Sequence, residues 1–199
     1  MRIVLVSAIL SLISLHAYAQ VNTYTTKIGE YNGPVKSVLM TGAAGMTYDL
    51  YNPDGTLQKN VNSQKDYYVL LEWRDDIIVH NIYNRETDEY IGQSFAKYKM
   101  EDDKFTVSND DYTYFWTFKE FTMNLVVNGK IMWSSKAIDR CPDGYTLVAY
   151  TNGQVSDKIM VSLLDPDEYG NYTRIVYMTL NGDKQESMIS YEYYSEDDL

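Results

Sequence analysis

Cysteine is almost missing from this 199-residue chain. Cys141 stands alone, so no internal disulfide can form, and packing and hydrogen bonds must hold the fold. Histidine is nearly as scarce, at two residues, and His16 falls in an N-terminal leader. That leaves His80 and Cys141 as the only imidazole and thiol ligands beyond it, too few for a zinc site of three or four ligands. It also leaves nucleophilic catalysis without its usual base, because Ser or Cys attack needs a histidine within hydrogen-bond reach. His80 lies in an apolar strand pattern and reads as structural, and Cys141 beside Pro142 reads as a turn-adjacent thiol. There is no Gly-rich phosphate loop, no dinucleotide fingerprint and no Pro- or Ser-rich linker. Basic residues are outnumbered 28 to 17, for a net charge of −11 and a pI near 4.5. That balance argues against nucleic acid and anionic membrane surfaces as partners, since neither phosphate neutralisation nor polybasic attraction is available, and it is compatible with a cationic partner.

The first residues form a secretory signal. Arg2 supplies the positive start, Ile3 to Leu15 the apolar stretch and Ala17-Tyr-Ala19 the small-residue cleavage pattern, so the mature chain is expected to begin at Gln20. No cysteine follows the cleavage point, which excludes a bacterial lipid anchor there. No later run approaches the roughly 20 apolar residues of a spanning helix. Export without disulfides fits a bacterial periplasm or cell surface. Residues 1–19 are thus read as leader and 20–199 as one domain.

Turn signals recur along the mature chain. They include Asn52-Pro-Asp-Gly55, Arg74-Asp-Asp76, Glu101-Asp-Asp103, Ser108-Asn-Asp-Asp111, Asn128-Gly129, Pro142-Asp-Gly144, Asn152-Gly153 and Asn181-Gly182. Between them lie stretches of aromatic and β-branched residues, such as Tyr67 to Trp73, Ile77 to Tyr83, Ile91 to Met100, Tyr145 to Thr151 and Lys158 to Leu164. Phe115, Phe118 and Phe121 sit three apart and would suit a helix, but the β-branched and aromatic content of Tyr114 to Val127 favours strand. A two-residue turn at Asn181-Gly182 would set Tyr172 opposite Tyr191, Arg174 opposite Ile189 and Val176 opposite Ser187. The expected fold class is all-β: an antiparallel meander of many short hairpins forming one large twisted sheet, open or partly curled. Tyrosine, 20 residues in all, suits a half-solvated sheet of that kind. Open edges would then invite edge-strand self-association or a covering partner.

The stretch Tyr169-Gly-Asn-Tyr-Thr-Arg174, continued by Tyr191-Glu-Tyr-Tyr194, resembles the YD-repeat type of β-hairpin seen in small exported proteins of Bacteroides-group bacteria. Tyr172 stands where those units usually have Trp. A second, partial match runs through Val35-Lys-Ser-Val38, Tyr48-Asp49 and Tyr51-Asn-Pro-Asp-Gly-Thr-Leu57. The resemblance implies an open, elongated or curled antiparallel sheet on an exported protein, with no established chemistry.

Carboxylates cluster at Asp102-Asp103, Asp110-Asp111 and Asp165-Pro-Asp-Glu168, but none is an EF-hand loop; Tyr169 and Val176 fill positions 5 and 12 of the Asp165 frame. They read as solvated turns, with at most weak calcium binding, and no cofactor is expected. No pattern singles out the carboxylate pair a glycosidase needs. Trp73, Trp116 and Trp133, with Tyr112 and Tyr114, offer a candidate aromatic platform for a sugar or an apolar ligand, unless they are simply core. The expected function is a non-enzymatic binding or scaffold module at the bacterial envelope, meeting another envelope protein or a glycan. A carbohydrate- or lipid-binding module working through its aromatics is the alternative, and a carboxylate-dependent glycan hydrolase comes third.

Overall fold

A computed structural model describes residues 25–26, 29–43 and 45–198; the expected leader lies outside them. The strands are β1 (Val35–Gly42), β2 (Gly45–Tyr51), β3 (Leu57–Asn62), β4 (Tyr67–Arg74), β5 (Ile77–Asn84), β6 (Tyr90–Glu101) and β7 (Lys104–Ser108). They continue as β8 (Tyr112–Thr117), β9 (Thr122–Val127), β10 (Lys130–Cys141), β11 (Gly144–Thr151), β12 (Gln154–Pro166), β13 (Tyr172–Thr179) and β14 (Lys184–Tyr193). Each pairs antiparallel with the next, and β14 returns to pair with β1.

The sheet therefore closes into a barrel, and the expectation of an open or merely curled sheet is corrected. Strand twist accumulates across so many strands, and closure removes the two rows of unpaired backbone groups that an open sheet would leave. The seam runs from Val35 opposite Tyr193 to Gly42 opposite Ser187. It is reinforced where the Ser37 hydroxyl donates to the Glu192 carboxylate at 2.8 Å, and where Tyr194 N–H donates to the Pro34 carbonyl at 2.8 Å. None of the described strands keeps a free edge, so self-association through an edge loses its physical basis.

Two of the three Asn-Gly turns behave as the sequence signals. Asn128 (φ 50°) and Gly129 (φ 73°), like Asn152 (φ 50°) and Gly153 (φ 77°), both take positive φ and join directly paired strands as type I′ turns. At the third, Gly182 takes positive φ (85°), and Thr179 N–H bonds the Asp183 carbonyl around a four-residue loop. The register there slips by one residue from the expected one: Arg174 faces Met188, Ile175 faces Ser187 and Val176 faces Glu186. The slip puts Val176 with Glu186 on the outer wall and Ile175 with Ile189 and Tyr191 on the inner, since a one-residue change of register exchanges the faces.

Alternation then sorts the whole barrel. Val38, Leu71, Ile78, Phe105, Trp116, Met123 and Ile189 form a buried cluster inside it. Charged residues such as Glu72, Lys97, Lys136, Arg174 and Glu186 occupy the opposite parity on their strands and face outward. Lys59 lies 4.3 Å from the Tyr68 ring and Lys104 lies 4.6 Å from the Phe115 ring, so cationic heads with apolar stems cover outer aromatics. The outer wall mixes these charges with exposed apolar residues such as Phe95, Met160 and Met188, and the inner wall carries the apolar cluster together with Thr47, Asp49, Asn60 and Asn62. Among the described residues no helix is long and apolar enough to cross a membrane.

The closest backbone approach is at Gly144, on the turn side of β11. Its φ is 153°, and a Cβ there would lie 2.1 Å from the Val161 carbonyl oxygen of β12. At Gly182, with φ 85°, a Cβ would meet nothing within 4 Å. Gly144→Ala is therefore expected to cost about 3 kcal/mol through steric overlap and backbone strain, against about 1 kcal/mol for Gly182→Ala from its φ alone. Chemical denaturation of the two variants beside wild type reads the difference, and equal losses would contradict the close packing of β11 on β12.

Candidate functional site

A barrel of about eight strands is just wide enough for its own side chains to fill. One of fourteen is wider, and here the interior divides. Apolar residues collect in the cluster already described and in a second one on β11 and β12, built on Leu147, Ile159 and Val161, with Ile175 packed against both. Between them lies a cavity of about 1010 Å³. Its walls include Val38, Met40, Trp116, Met123 and Ile189 on one side, and Tyr145, Leu163 and Tyr177 on the other.

The lining reaches both ends of the barrel. At one, Asn62, Lys65 and Tyr67 surround the turn from β3 to β4. At the other, residues 29–32, before β1, line the cavity and are held there by side chains. The Tyr31 ring packs edge-on against Tyr51 (centroids 6.1 Å apart) and Tyr191 (5.6 Å). Asn171, only 3% exposed, grips the neighbouring backbone: Asn32 N–H donates to its Oδ1 at 2.7 Å, and its Nδ2 donates to the Asn32 carbonyl at 2.8 Å. The same Nδ2 donates to the Tyr193 hydroxyl, which in turn donates to Asp167. A buried amide with its capacity so fully used rigidifies the contacts around it.

Arg140 sits at the same end. The register of β10 slips between Ile138 and Cys141, where Asp139 takes φ 52°, and such bulges re-aim the side chains beside them. The guanidinium reaches Glu30 at 3.2 Å and lies 3.2 Å from the centroid of the Phe121 ring. Burial pushes the Glu30 carboxyl up, and Arg140 pulls it partly back.

The most polar part of the inner wall is on β2 and β3. Register pairs Asp49 with Asn60 and Thr47 with Asn62, so these four side chains share the inner face with Val38 and Met40 of β1. Asn60 Nδ2 donates to Asp49 Oδ1 at 2.6 Å, and Asp49 is 7% exposed. A short bond to a carboxylate in a dry setting is a strong one.

The aromatics singled out in the sequence all belong to the inner parity of their strands rather than to an outer platform. Tyr112, Tyr114 and Trp116 form a ladder along β8, with centroids 5.1 and 6.1 Å apart. Trp73 packs at 4.9 Å from Tyr98, donates its indole N–H to the Leu57 carbonyl at 2.8 Å and joins the first cluster, as Trp133 does. Of the five, Trp116 lines the cavity. His80 faces Leu71 and Ser94 across the ladder; burial holds its imidazole below the usual range, opposed by a bond with the Ser94 backbone. Cys141 is exposed, and its thiol donates to the Gly144 carbonyl at 3.3 Å. No group of three or more potential metal ligands occurs among the described residues.

Asp49, Asn60, Asn62, Arg140 and Tyr31 are functional candidates that reading the sequence did not reach. The polar run Gln58-Lys-Asn60, to which the sequence analysis assigned no element, was the one signal available.

No known protein family matches the chain, and no characterised relative does. Among solved structures, a porin-like protein from Bacteroides uniformis aligns with 81% of this chain and 99% of its own length, at 10% identity and a TM-score of 0.44.

Burial raises the phenols of three tyrosines on the inner wall. Tyr177 and Tyr191 are held well above their ordinary value of 10, and Tyr193 is pushed up to about 12 by burial and then by its bond to Asp167. A folded pKa above the unfolded one means that the native state keeps the proton longer. Their stabilisation is therefore intact below pH 10 and is lost as pH rises through 12. The melting temperature is expected to fall over that interval, in step with tyrosinate absorbance, whereas a flat melting temperature between pH 10 and 12 would contradict the burial of these rings.

Proposed function

We propose that the protein is a non-enzymatic, exported binding barrel, which holds a small and largely apolar molecule in its lumen. The observation that carries this reading is the cavity of about 1010 Å³, whose wall combines aliphatic and aromatic side chains with polar groups on β2 and β3, on β8 to β10 and at the Arg140 end. That size and composition are what ligand pockets require. The leader at residues 1–19 supports export to the periplasm or cell surface of a bacterium. The charged outer wall supports a barrel that works in water, with residues 20–199 acting as one unit.

Of the two ligand classes open to an aromatic binding module, the lumen favours the lipid-like one. Val38, Met40, Leu163, Ile175 and Ile189 contribute aliphatic wall that a sugar would not use. A hydrolytic role is less well supported: Asp49 bonds an amide and Glu30 pairs with an arginine, arrangements that hold charge in place rather than poise it for proton transfer. The two stretches that resemble YD-repeat hairpins supply β1–β2 and β13–β14, which meet at the seam. We take them as one hairpin type used twice to close the barrel.

The uncharged fluorescent probe N-phenyl-1-naphthylamine tests the lumen directly. Saturable binding is expected at one site per chain, and Ile189→Trp, which fills the cavity, is expected to weaken it at least about tenfold, a loss of about 1.4 kcal/mol. Met178→Lys, on the outer wall at a residue 38% exposed, is expected to leave it unchanged. Non-saturable binding, or a larger effect of the outer substitution, would contradict a lumen site.

A further inference from the structure

We infer that the hydroxyl of Tyr177 is the polar anchor of the lumen ligand, and that this ligand is an uncharged apolar molecule carrying a hydrogen-bond-accepting carbonyl oxygen. The inference rests on the lumen reading above and specifies the chemistry of that same site.

Register sets Tyr177 of β13 opposite Val161 of β12, and Val161 opposite Tyr145 of β11. The Tyr177 ring packs on the second apolar cluster, Leu147, Ile159 and Val161, and lines the cavity. Other tyrosines of the lining use their hydroxyls within the fold: Tyr172 donates to the Pro142 carbonyl, and Tyr191 donates to the Tyr172 carbonyl at 3.0 Å. The Tyr177 side chain makes no hydrogen bond among the described residues. No buried polar side-chain atom among those residues is left without a partner, so this hydroxyl is not sealed into the wall but opens on the cavity.

Burial, and then Tyr145, hold the phenol well above its ordinary value, so the hydroxyl is neutral and keeps its proton at neutral pH. Such a group is a donor that has to be met. Once a ligand fills the lumen, the donor is cut off from solvent and must be met by the ligand itself, because a buried donor left unpaired is penalised. A site of this kind discriminates strongly against analogues that lack the matching group. The wall decides the charge. Val161, Leu163 and Ile175 stand beside Tyr177 on the inner face and offer no counter-ion, so a carboxylate or ammonium brought among them would lose its hydration without a partner. A carbonyl oxygen accepts the phenol's hydrogen and brings no charge.

The test displaces N-phenyl-1-naphthylamine from the full mature chain with octan-2-one, oct-1-ene, octanoate and octylamine, which share one chain length and differ at the head. Octan-2-one is expected to displace the probe at about one-tenth the concentration that the other three require. Tyr177→Phe is expected to abolish the advantage of the ketone over the alkene. It is also expected to leave the melting temperature of the ligand-free protein unchanged, because the lost hydroxyl has no partner in the fold. Infrared spectroscopy of the wild type gives an independent readout: the carbonyl stretch of bound octan-2-one is expected at lower wavenumber than in hexane. Equal displacement by ketone and alkene, stronger displacement by octanoate or octylamine, a ketone advantage that survives Tyr177→Phe, or a bound stretch at its hexane position would overturn the anchor while leaving the lumen reading intact. A fall in the melting temperature of Tyr177→Phe would overturn it too, by showing the hydroxyl bonded within the fold. Failure of the probe itself to bind the wild type would remove the lumen reading, and this inference with it.

Discussion

Everything in this molecule depends on one ladder of backbone hydrogen bonds, that between β1 and β14. The thirteen other strand pairings join neighbours in sequence and would form in an open meander as well. The seam is different: it brings together residues about as far apart in the chain as the described part allows, as with Val35 and Tyr193. Closing so long a loop is entropically costly, though the cost grows only slowly with length. What offsets it is the inner wall, because only a closed sheet removes Val38, Met40, Ile189 and Tyr191 from water on a common face. The buried clamp of Asn171 on Asn32 and Tyr193 lies at one end of the seam and locks the incoming segment against it.

Closure has a geometric consequence that leads to the proposed activity. Fourteen strands enclose more space than their inward side chains occupy, so the interior resolves into two apolar clusters with a cavity between them. The polar patch on β2 and β3 faces that cavity at a place where a fully packed core would carry aliphatic residues. Asp49 is the buried carboxylate of that patch, on the same wall as Val38 and Met40.

Much of the fold was legible beforehand because turns and strands announce themselves through local chemistry. Asn128-Gly129 and Asn152-Gly153 fixed two registers, and the strand over Tyr112 to Thr117 followed from its aromatic and β-branched content despite the three-residue spacing of its phenylalanines. Closure was not legible, because it depends on accumulated twist and on a pairing between the two ends of the chain. The slip at Asn181-Gly182 was hidden because an Asn-Gly pair also serves a looser loop in which glycine alone takes positive φ. The site was the least readable part. β3 escaped notice because Asn60 and Asn62 occupy its inner positions, and the strands were recognised by the very apolar alternation that those residues interrupt. The tryptophans were visible as candidates, but composition does not reveal which wall of a sheet a side chain joins.

The claim on which the account stands is that the first and last strands pair, and a cross-link at the seam tests it most directly. Thr41 and Met188 are register partners on the outer wall. In a chain with Cys141→Ser, the double substitution Thr41→Cys and Met188→Cys is expected to form an intramolecular disulfide under mild oxidation, in a protein that stays monomeric and keeps its melting behaviour. Free thiols after oxidation, or a bond formed only between two chains, would show that β1 and β14 do not meet, and the lumen would go with them.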